Sequence, residues 1–296
     1  MSISTLHFQL GLIGYPLSHS LSPKIHAAAL RSCGLEGDYS LFPIYFDDKQ
    51  SLADLLARVR SGEIHGLNVT IPHKQNVIQF LDELTSTARS IGAVNTIYLC
   101  DNKLIGDNTD AMGFIIDLKR FLDNRKSSIE HRKSSIVLGA GGSARAVTYA
   151  LLHDGWEVTI AARRMKQAEQ LADSFANYQL PITVCTFSNI ESPPTNLQSL
   201  LSSLSLIINT TPVGMMPDTD GSPWSANSPF PPHAAIYDLV YNPRETKLVK
   251  DACSQGLSAT TGLGMLIEQA ALSFEIWTGC YPLREVLFDA LNQTVH

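Results

Sequence analysis

Gly139-Ala140-Gly141-Gly142-Ser143-Ala144 stands between a β-branched run, SIVLG at 135–139, and a helical pattern. The GxGxxA spacing between strand and helix is what a bound pyrophosphate needs. Gly139 permits the tight turn. Gly141 lacks the Cβ that would hold a phosphate off the backbone, and Ala144 lets helix pack closely on strand. The helix start, with Gly142 and Ser143, offers free N–H groups and the positive end of a dipole. A tight βα turn without a ligand is the alternative. The strands that follow, WEVTIAA (156–162), LIINTT (206–211) and AAIYDLV (234–240), favour a dinucleotide site.

The end of the second of these strands selects the dinucleotide. A site for NAD places a carboxylate there to accept from the ribose hydroxyls. The sequence reads Ala161-Ala162-Arg163-Arg164-Met165-Lys166, with three cations and no carboxylate. Guanidinium groups bind a 2′-phosphate bidentately and stack on adenine. NADP is therefore the expected cofactor. A solvated helix start is the competing reading, and cations there would oppose the helix dipole.

These residues need a scaffold. The chain has 296 residues, enough for two domains, and an apolar fraction of 44% supplies their cores. Short apolar runs alternate with helical patterns, which predicts an α/β fold with largely parallel sheets. Expected strands precede the glycine turn at 8–14, 39–46 and 66–72, with a hairpin from 93–99 and 103–108. Helices are expected from Ser22-Pro23 onward, where Ser22 is available as a cap, at 51–62, and at 262–279. The polar stretch 124–135 reads as an interdomain loop, and 188–204, rich in Ser, Pro, Asn and Gln, as surface.

Composition narrows the class. The net charge of −6, without a basic run, argues against nucleic-acid binding. Five cysteines without a CxxC pair point to a reducing compartment, the cytoplasm, rather than a disulfide framework. No signal peptide, membrane span or metal-ligand spacing among the nine histidines is expected.

The residues ahead of the glycine turn carry four further clusters: Gly14-Tyr15-Pro16-Leu17-Ser18-His19-Ser20-Leu21-Ser22-Pro23, Asn68-Val69-Thr70-Ile71-Pro72-His73-Lys74, Gly92-Ala93-Val94-Asn95-Thr96, and Gly106-Asp107-Asn108-Thr109-Asp110. Beyond the turn lie Asn209-Thr210-Thr211-Pro212-Val213-Gly214-Met215, Tyr237-Asp238-Leu239-Val240-Tyr241-Asn242-Pro243 and Gly262-Leu263-Gly264-Met265-Leu266-Ile267-Glu268-Gln269-Ala270. In these motifs and their order the chain resembles the shikimate dehydrogenase family over nearly its whole length. The resemblance implies an N-terminal α/β substrate domain, a Rossmann dinucleotide-binding domain, and C-terminal helices packing back on the first domain. It places the substrate domain at 1–111 and 258–296 and the NADP domain at 112–257. The implied activity is reversible NADPH-dependent reduction of 3-dehydroshikimate to shikimate in chorismate and aromatic amino-acid biosynthesis.

Residue roles follow from the same resemblance. Ser20 and Ser22 would hold the substrate carboxylate, and Thr70, Asn95 and Gln269 the ring hydroxyls. Such a polar ligand needs paired hydrogen-bonding partners rather than an apolar box. Lys74 and Asp110 would form the catalytic pair. Hydride delivery builds negative charge on the carbonyl oxygen, and a positioned ammonium discharges it. Tyr241, just past a strand end, would lie beside substrate and nicotinamide. Gly139, Gly141, Gly142, Ser143, Ala144, Ala162, Arg163, Arg164 and Lys166 would hold NADP on its phosphate side. Thr210 and Val240 would also contact the cofactor, and Gly214, Met215, Gly262 and Met265 would line the nicotinamide, although core filling is nearly as good a role for a methionine.

The chain departs from the family pattern at Ala111, Ala162 and Thr261, and the change at Ala162 removes an Asn contact to the ribose. A quinate/shikimate dehydrogenase using NAD is one alternative; Ser22, rather than Thr, leans against it. A shikimate-binding sensor without catalysis is another, and retention of Lys74 and Asp110 counts against that. A folate-linked dehydrogenase of similar design lacks the carboxylate-binding serines. A monomer or homodimer is expected.

Overall fold

The structure, a computed structural model, describes residues 6–124, 133–225 and 228–292. Two compact units emerge: residues 1–113 with 266–296, and residues 114–265. The division falls inside the helices Asp110–Asp123 and Leu263–Thr278. The expected crossing at 111 lies in the first of these and that at 258 ahead of the second. Residues 125–132 of the expected linker lie outside the described residues.

The first unit is built on a mixed sheet of β1 (His7–Gly14), β2 (Glu36–Pro43), β3 (Gly66–Val69), β4 (Glu83–Leu84), β5 (Thr96–Cys100) and β6 (Lys103–Asp107). Their order is β2-β1-β3-β5-β6-β4. Strand β1 pairs in parallel with β2 and β3, whereas β5 runs antiparallel to both β3 and β6. The expected hairpin forms, with Asp101 and Asn102 at φ 49° and 61°. Both central residues are left-handed, as a two-residue connection between twisted strands demands. Strand β2 begins and ends ahead of the expected 39–46. Its register on β1 closes at Gly14–Pro43, so Tyr45 and Phe46 leave the sheet and are exposed.

Helix Lys49–Arg60 shows why these sequences fold locally as they do. Asp48 accepts from the Ser51 N–H at 3.0 Å, and Leu52, Leu55, Leu56 and Val59 form one buried face. That face packs on Ile13, Leu67, Val69, Val94 and Ile97. Gly66 allows a close approach from the C-terminal part of the chain: a Cβ there would stand 2.3 Å from the Trp277 ring. Trp277 Nε1 donates to Ile97 O at 3.1 Å. Helix Arg284–Asn292 packs on helix Ser22–Ser32. The C-terminal helices thus belong with the N-terminal sheet.

The second unit carries β7 (Ser134–Leu138), β8 (Glu157–Ala162), β9 (Ile182–Thr186), β10 (Leu206–Asn209), β11 (Ala235–Asp238) and β12 (Ala259–Thr261). All pair in parallel in the order β12-β11-β10-β7-β8-β9. Read in order of appearance this is 3-2-1-4-5-6, the doubly wound dinucleotide-binding topology, with its switch point between β7 and β10. The stretch 188–204 departs from the surface expectation. It contributes to helices Phe187–Glu191 and Thr195–Ser202, which bury Ile190, Leu197 and Leu201 against Trp224. Scattered leucines at helical spacing outweigh the polar composition around them.

Candidate active site

In the first unit, the loops after β1 and β3 leave the same edge of the sheet and are laced together. Tyr15 N donates to Ile71 O at 2.9 Å, and Thr70 N donates to Ile13 O at 2.8 Å. Buried His73 ties the loop down further. Its Nε2–H donates to Ile44 O at 2.7 Å, and its Nδ1 accepts from Asn76 at 3.1 Å. The carbonyl acceptor and the amide donor together set this tautomer. Lys74 is therefore held on a fixed stalk, its own carbonyl accepting from Val94 N at 2.7 Å. Asp110 is the first residue of helix Asp110–Asp123, where a carboxylate is favoured by the dipole.

Four of the expected residues converge. Lys74 Nζ lies 2.5 Å from Asp110 Oδ2, the two side chains being 11% and 5% exposed. Asn95 Nδ2 donates towards Asp110 Oδ1 (3.0 Å), Thr109 Oγ1 (2.8 Å) and Gln269 Oε1 (3.1 Å). Gln269 Nε2 donates to Leu266 O at 2.8 Å. Isolating an ion pair from water costs several kcal/mol per charge unless further hydrogen bonds satisfy it. Asn95 supplies one of these to the carboxylate, leaving Lys74 as the single cation of the group.

The serines occupy the turn into helix Ser22–Ser32. Ser22 is buried and its N–H donates to Ser20 Oγ at 3.3 Å. The capping expected of Ser22 falls instead to the Ser20 hydroxyl, because Ser22 is already the first helical residue and Leu21 holds the cap position. Thr70, immediately past the end of β3, is half-buried.

In the second unit, Gly139 has φ +121° and donates its N–H to Ala161 O at 2.8 Å. Helix Gly142–His153 follows, with Gly141 at its N-cap. A Cβ built on Gly141 meets nothing within 4 Å, and Ala144 is fully buried. The turn is thus open at the one position where an anion must approach and closed where helix meets strand. Arg163, Arg164 and Lys166 follow β8 and are exposed, with Ala162 buried before them. They have no ion pair among the described residues. These features fit NADP: an open helix N-terminus for the pyrophosphate and unpaired cations for the 2′-phosphate.

Thr210 donates its hydroxyl to Leu138 O at 2.8 Å, bracing the two strands at the switch point. Gly214 has φ +87°, and Met215 is exposed on the same loop. Val240 is buried, and Tyr241 is half-buried, its hydroxyl pushed up in pKa by that burial. Gly262 sits where a Cβ would meet Leu239 O at 2.4 Å. Met265 is only 6% exposed, in the position of a packing side chain.

Residues 12–97 match the family described as the shikimate dehydrogenase substrate binding domain, and residues 262–290 match the shikimate 5′-dehydrogenase C-terminal domain. The shikimate dehydrogenase (NADP(+)) of Methanococcus maripaludis strain C6 is 37% identical, over 97% of this chain and 97% of that protein. The chain belongs to the shikimate dehydrogenase family. A crystal structure of shikimate 5-dehydrogenase from Thermus thermophilus, in complex with NADP(H) and shikimate, is similar at a TM-score of 0.81. It is 35% identical, covering 96% of this chain and 98% of that one. Quinate dehydrogenase from Corynebacterium glutamicum, in complex with NAD, is similar at a TM-score of 0.82 and 29% identity, covering 97% and 99%.

Several residues of consequence lacked a role in the sequence reading. Asn68, Thr96 and Thr109 stood inside the motifs without one, and Ser273 stood outside them; all four are buried around Asn95. Asp238 and Asn209 form the matching feature of the second unit. Asp238 accepts from Asn209 Nδ2 (2.8 Å), Thr246 Oγ1 (2.6 Å) and Val240 N (3.0 Å). Burial nonetheless pushes its carboxyl up to about 6 against those hydrogen bonds. Spacing could not reveal either group, since each draws on elements far apart in sequence.

Proposed function

We propose that the chain is an NADP-dependent shikimate dehydrogenase, reversibly reducing 3-dehydroshikimate to shikimate in the biosynthesis of chorismate and the aromatic amino acids. The observation that carries this reading is the Lys74–Asp110 pair, 2.5 Å apart and hydrogen-bonded through Asn95 to Gln269. A largely enclosed ammonium with one carboxylate partner keeps its remaining protons for a third group, here the substrate oxygen.

In this reading Ser20 and Ser22 bind the ring carboxylate at the start of helix Ser22–Ser32. Thr70, Asn95 and Gln269 pair with the hydroxyls, and Tyr241 completes the substrate contacts. Lys74 donates a proton to the carbonyl oxygen as charge develops there, and takes it back in the oxidative direction. Asp110 orients the ammonium and accepts from the same substrate oxygen once it is a hydroxyl. The Gly139–Ala144 turn with Arg163, Arg164, Lys166, Thr210 and Val240 would hold NADP, with Gly214, Met215, Gly262 and Met265 on the nicotinamide side. When bound, NADPH supplies the hydride.

Lys74 and Asp110 favour an enzyme over a binding protein, since binding alone needs no proton donor. We further infer that it works in the cytoplasm as a monomer or homodimer, without nucleic acid. Its net charge of −6 and five free cysteines support that setting. No described helix is long and apolar enough to cross a membrane. The test is dinucleotide absorbance with shikimate or quinate as reductant and NADP or NAD as oxidant. Shikimate with NADP should give the highest kcat/KM. A higher value for quinate with NAD would replace this reading with the quinate one, and tight shikimate binding without turnover would leave a sensor.

A further inference from the structure

Ser273 lies on helix Leu263–Thr278, four residues after Gln269, and is fully buried. Four polar groups surround its hydroxyl: Asn68 Nδ2 at 3.0 Å, Thr96 Oγ1 at 2.7 Å, Thr109 Oγ1 at 3.1 Å and Gln269 O at 3.0 Å. A serine inside a helix ordinarily returns its proton to the carbonyl four residues back. Here the neighbours constrain that choice. Asn68 can only donate, so Ser273 accepts from it. Thr109 Oγ1 lies 3.1 Å from Gln269 O and receives Asn95 Nδ2 at 2.8 Å, so the Thr109 proton can serve that carbonyl.

The Ser273 proton is then free for Thr96, its shortest contact. Thr96 in turn donates to Asn95 Oδ1 at 2.9 Å, where Thr109 N also donates at 2.8 Å. Every proton now has an acceptor, and the hydrogen bonds run one way: Asn68 to Ser273 to Thr96 to Asn95 Oδ1. With its oxygen saturated by these donors, the Asn95 amide must turn its NH2 towards Asp110 Oδ1 and Thr109 Oγ1. The other carboxylate oxygen remains for Lys74. A flipped amide would set its oxygen against the Asp110 carboxylate.

We propose that Ser273 is a positioning residue of the proton-transfer site, setting through Thr96 the orientation of the Asn95 amide and hence the seating of Asp110 and Lys74. This rests on the dehydrogenase reading above and deepens it. The residue touches none of the reacting atoms, so its effect should appear in turnover rather than in cofactor binding.

The test compares the full chain with Ser273→Ala and with Thr96→Val, which removes the next hydroxyl at nearly constant volume. Supporting outcomes for each are a kcat lower by about tenfold or more, the rate equivalent of one buried hydrogen bond left unmade, with KM for NADP unchanged and the pH profile of kcat displaced. The double variant should be no worse than the poorer single one, because both cut the same chain. Unchanged kcat and pH profile in Ser273→Ala, or losses that multiply in the double variant, would overturn the proposal. Deuterium exchange of the Asn95 side-chain amide, followed by NMR, reads the same orientation without activity. It should quicken at least about tenfold in either variant that folds, and equal exchange in all three proteins would also overturn the idea. Absence of shikimate turnover by the unaltered protein would remove the dehydrogenase reading, while the amide measurement would still decide on Ser273.

Discussion

The two units treat their functional groups in opposite ways. In the first, Asp110, Asn95 and Gln269 are buried, Lys74 is largely so, and the four are bonded to one another before any ligand is considered. In the second, the groups suited to NADP have no ion-pair partner among the described residues: Gly141 borders open space, and Arg163, Arg164 and Lys166 stand exposed. Proton transfer demands a fixed geometry, which a protein secures with its own hydrogen bonds. A dinucleotide brings phosphates and ribose that supply the missing partners, so its site needs only a correct backbone and unpaired cations.

The largest effect should come from breaking the assembled side. Lys74→Ala removes the proton donor and leaves Asp110 buried without its counter-ion. Loss of a general acid typically costs about 10²–10⁴ in rate, and kcat for shikimate oxidation should fall into that range. NADP binding, followed by nicotinamide fluorescence or calorimetry, should be unaffected. A kcat within threefold of the parent would remove Lys74 from the mechanism.

The open side should respond in the reverse sense. Arg163→Ala with Arg164→Ala should raise KM for NADP by about ten- to a hundredfold, as expected for one or two charge-assisted contacts to a 2′-phosphate. Their kcat at saturating cofactor should hold, and activity with NAD should change little. An equal loss with both cofactors would assign these arginines to general binding rather than to the 2′-phosphate. A smaller change separates fold from function at the turn itself. Gly141 has φ −87° and open space around it, so Gly141→Ala should melt with the parent. It should still weaken NADP binding by about tenfold, because the added methyl meets the phosphates. Gly139→Ala should destabilise the apoprotein instead, since φ is +121° there and the Cβ would lie 2.5 Å from Thr210 Oγ1.

The same contrast explains what the sequence made legible. The open site uses local signals: glycine spacing, a strand end and a run of cations, all within residues 139–166. The assembled site uses residues from the loop after β3, the turn into β5, the start of helix Asp110–Asp123 and a C-terminal helix. Lys74 and Asp110 were readable because motifs mark them. Ser273 was not, since a serine at one helical position carries no local sign of the four groups that will meet it. Strands β9 and β12 were missed for a related reason: both are edge strands, and β12 is only Ala259–Thr261. Their threonines and half-burial carry little period-two signal.

Acid should separate the two units again, now through stability and with the smallest net effect. His26, in the first unit, is fully buried and stacked on Tyr39 at 4.2 Å. Burial pushes it down from 6.5 to about 3. Between those values the unfolded chain binds the proton and the folded chain does not, so stability falls as pH drops. From pH 7 to 5 this amounts to about 2 kcal/mol. Asp238, in the second unit, moves from 3.8 to about 6. Between those values the folded chain holds the extra proton, so stability rises as pH drops, by about 1 kcal/mol over the same interval. Together these two groups should shift whole-chain stability by about 1 kcal/mol or less, because their contributions oppose. Single variants expose them. His26→Phe should lessen the loss of stability between pH 7 and 5, whereas Asp238→Asn should steepen it. Urea melts at the two pH values measure both, and parallel responses of the two variants would contradict the opposed signs.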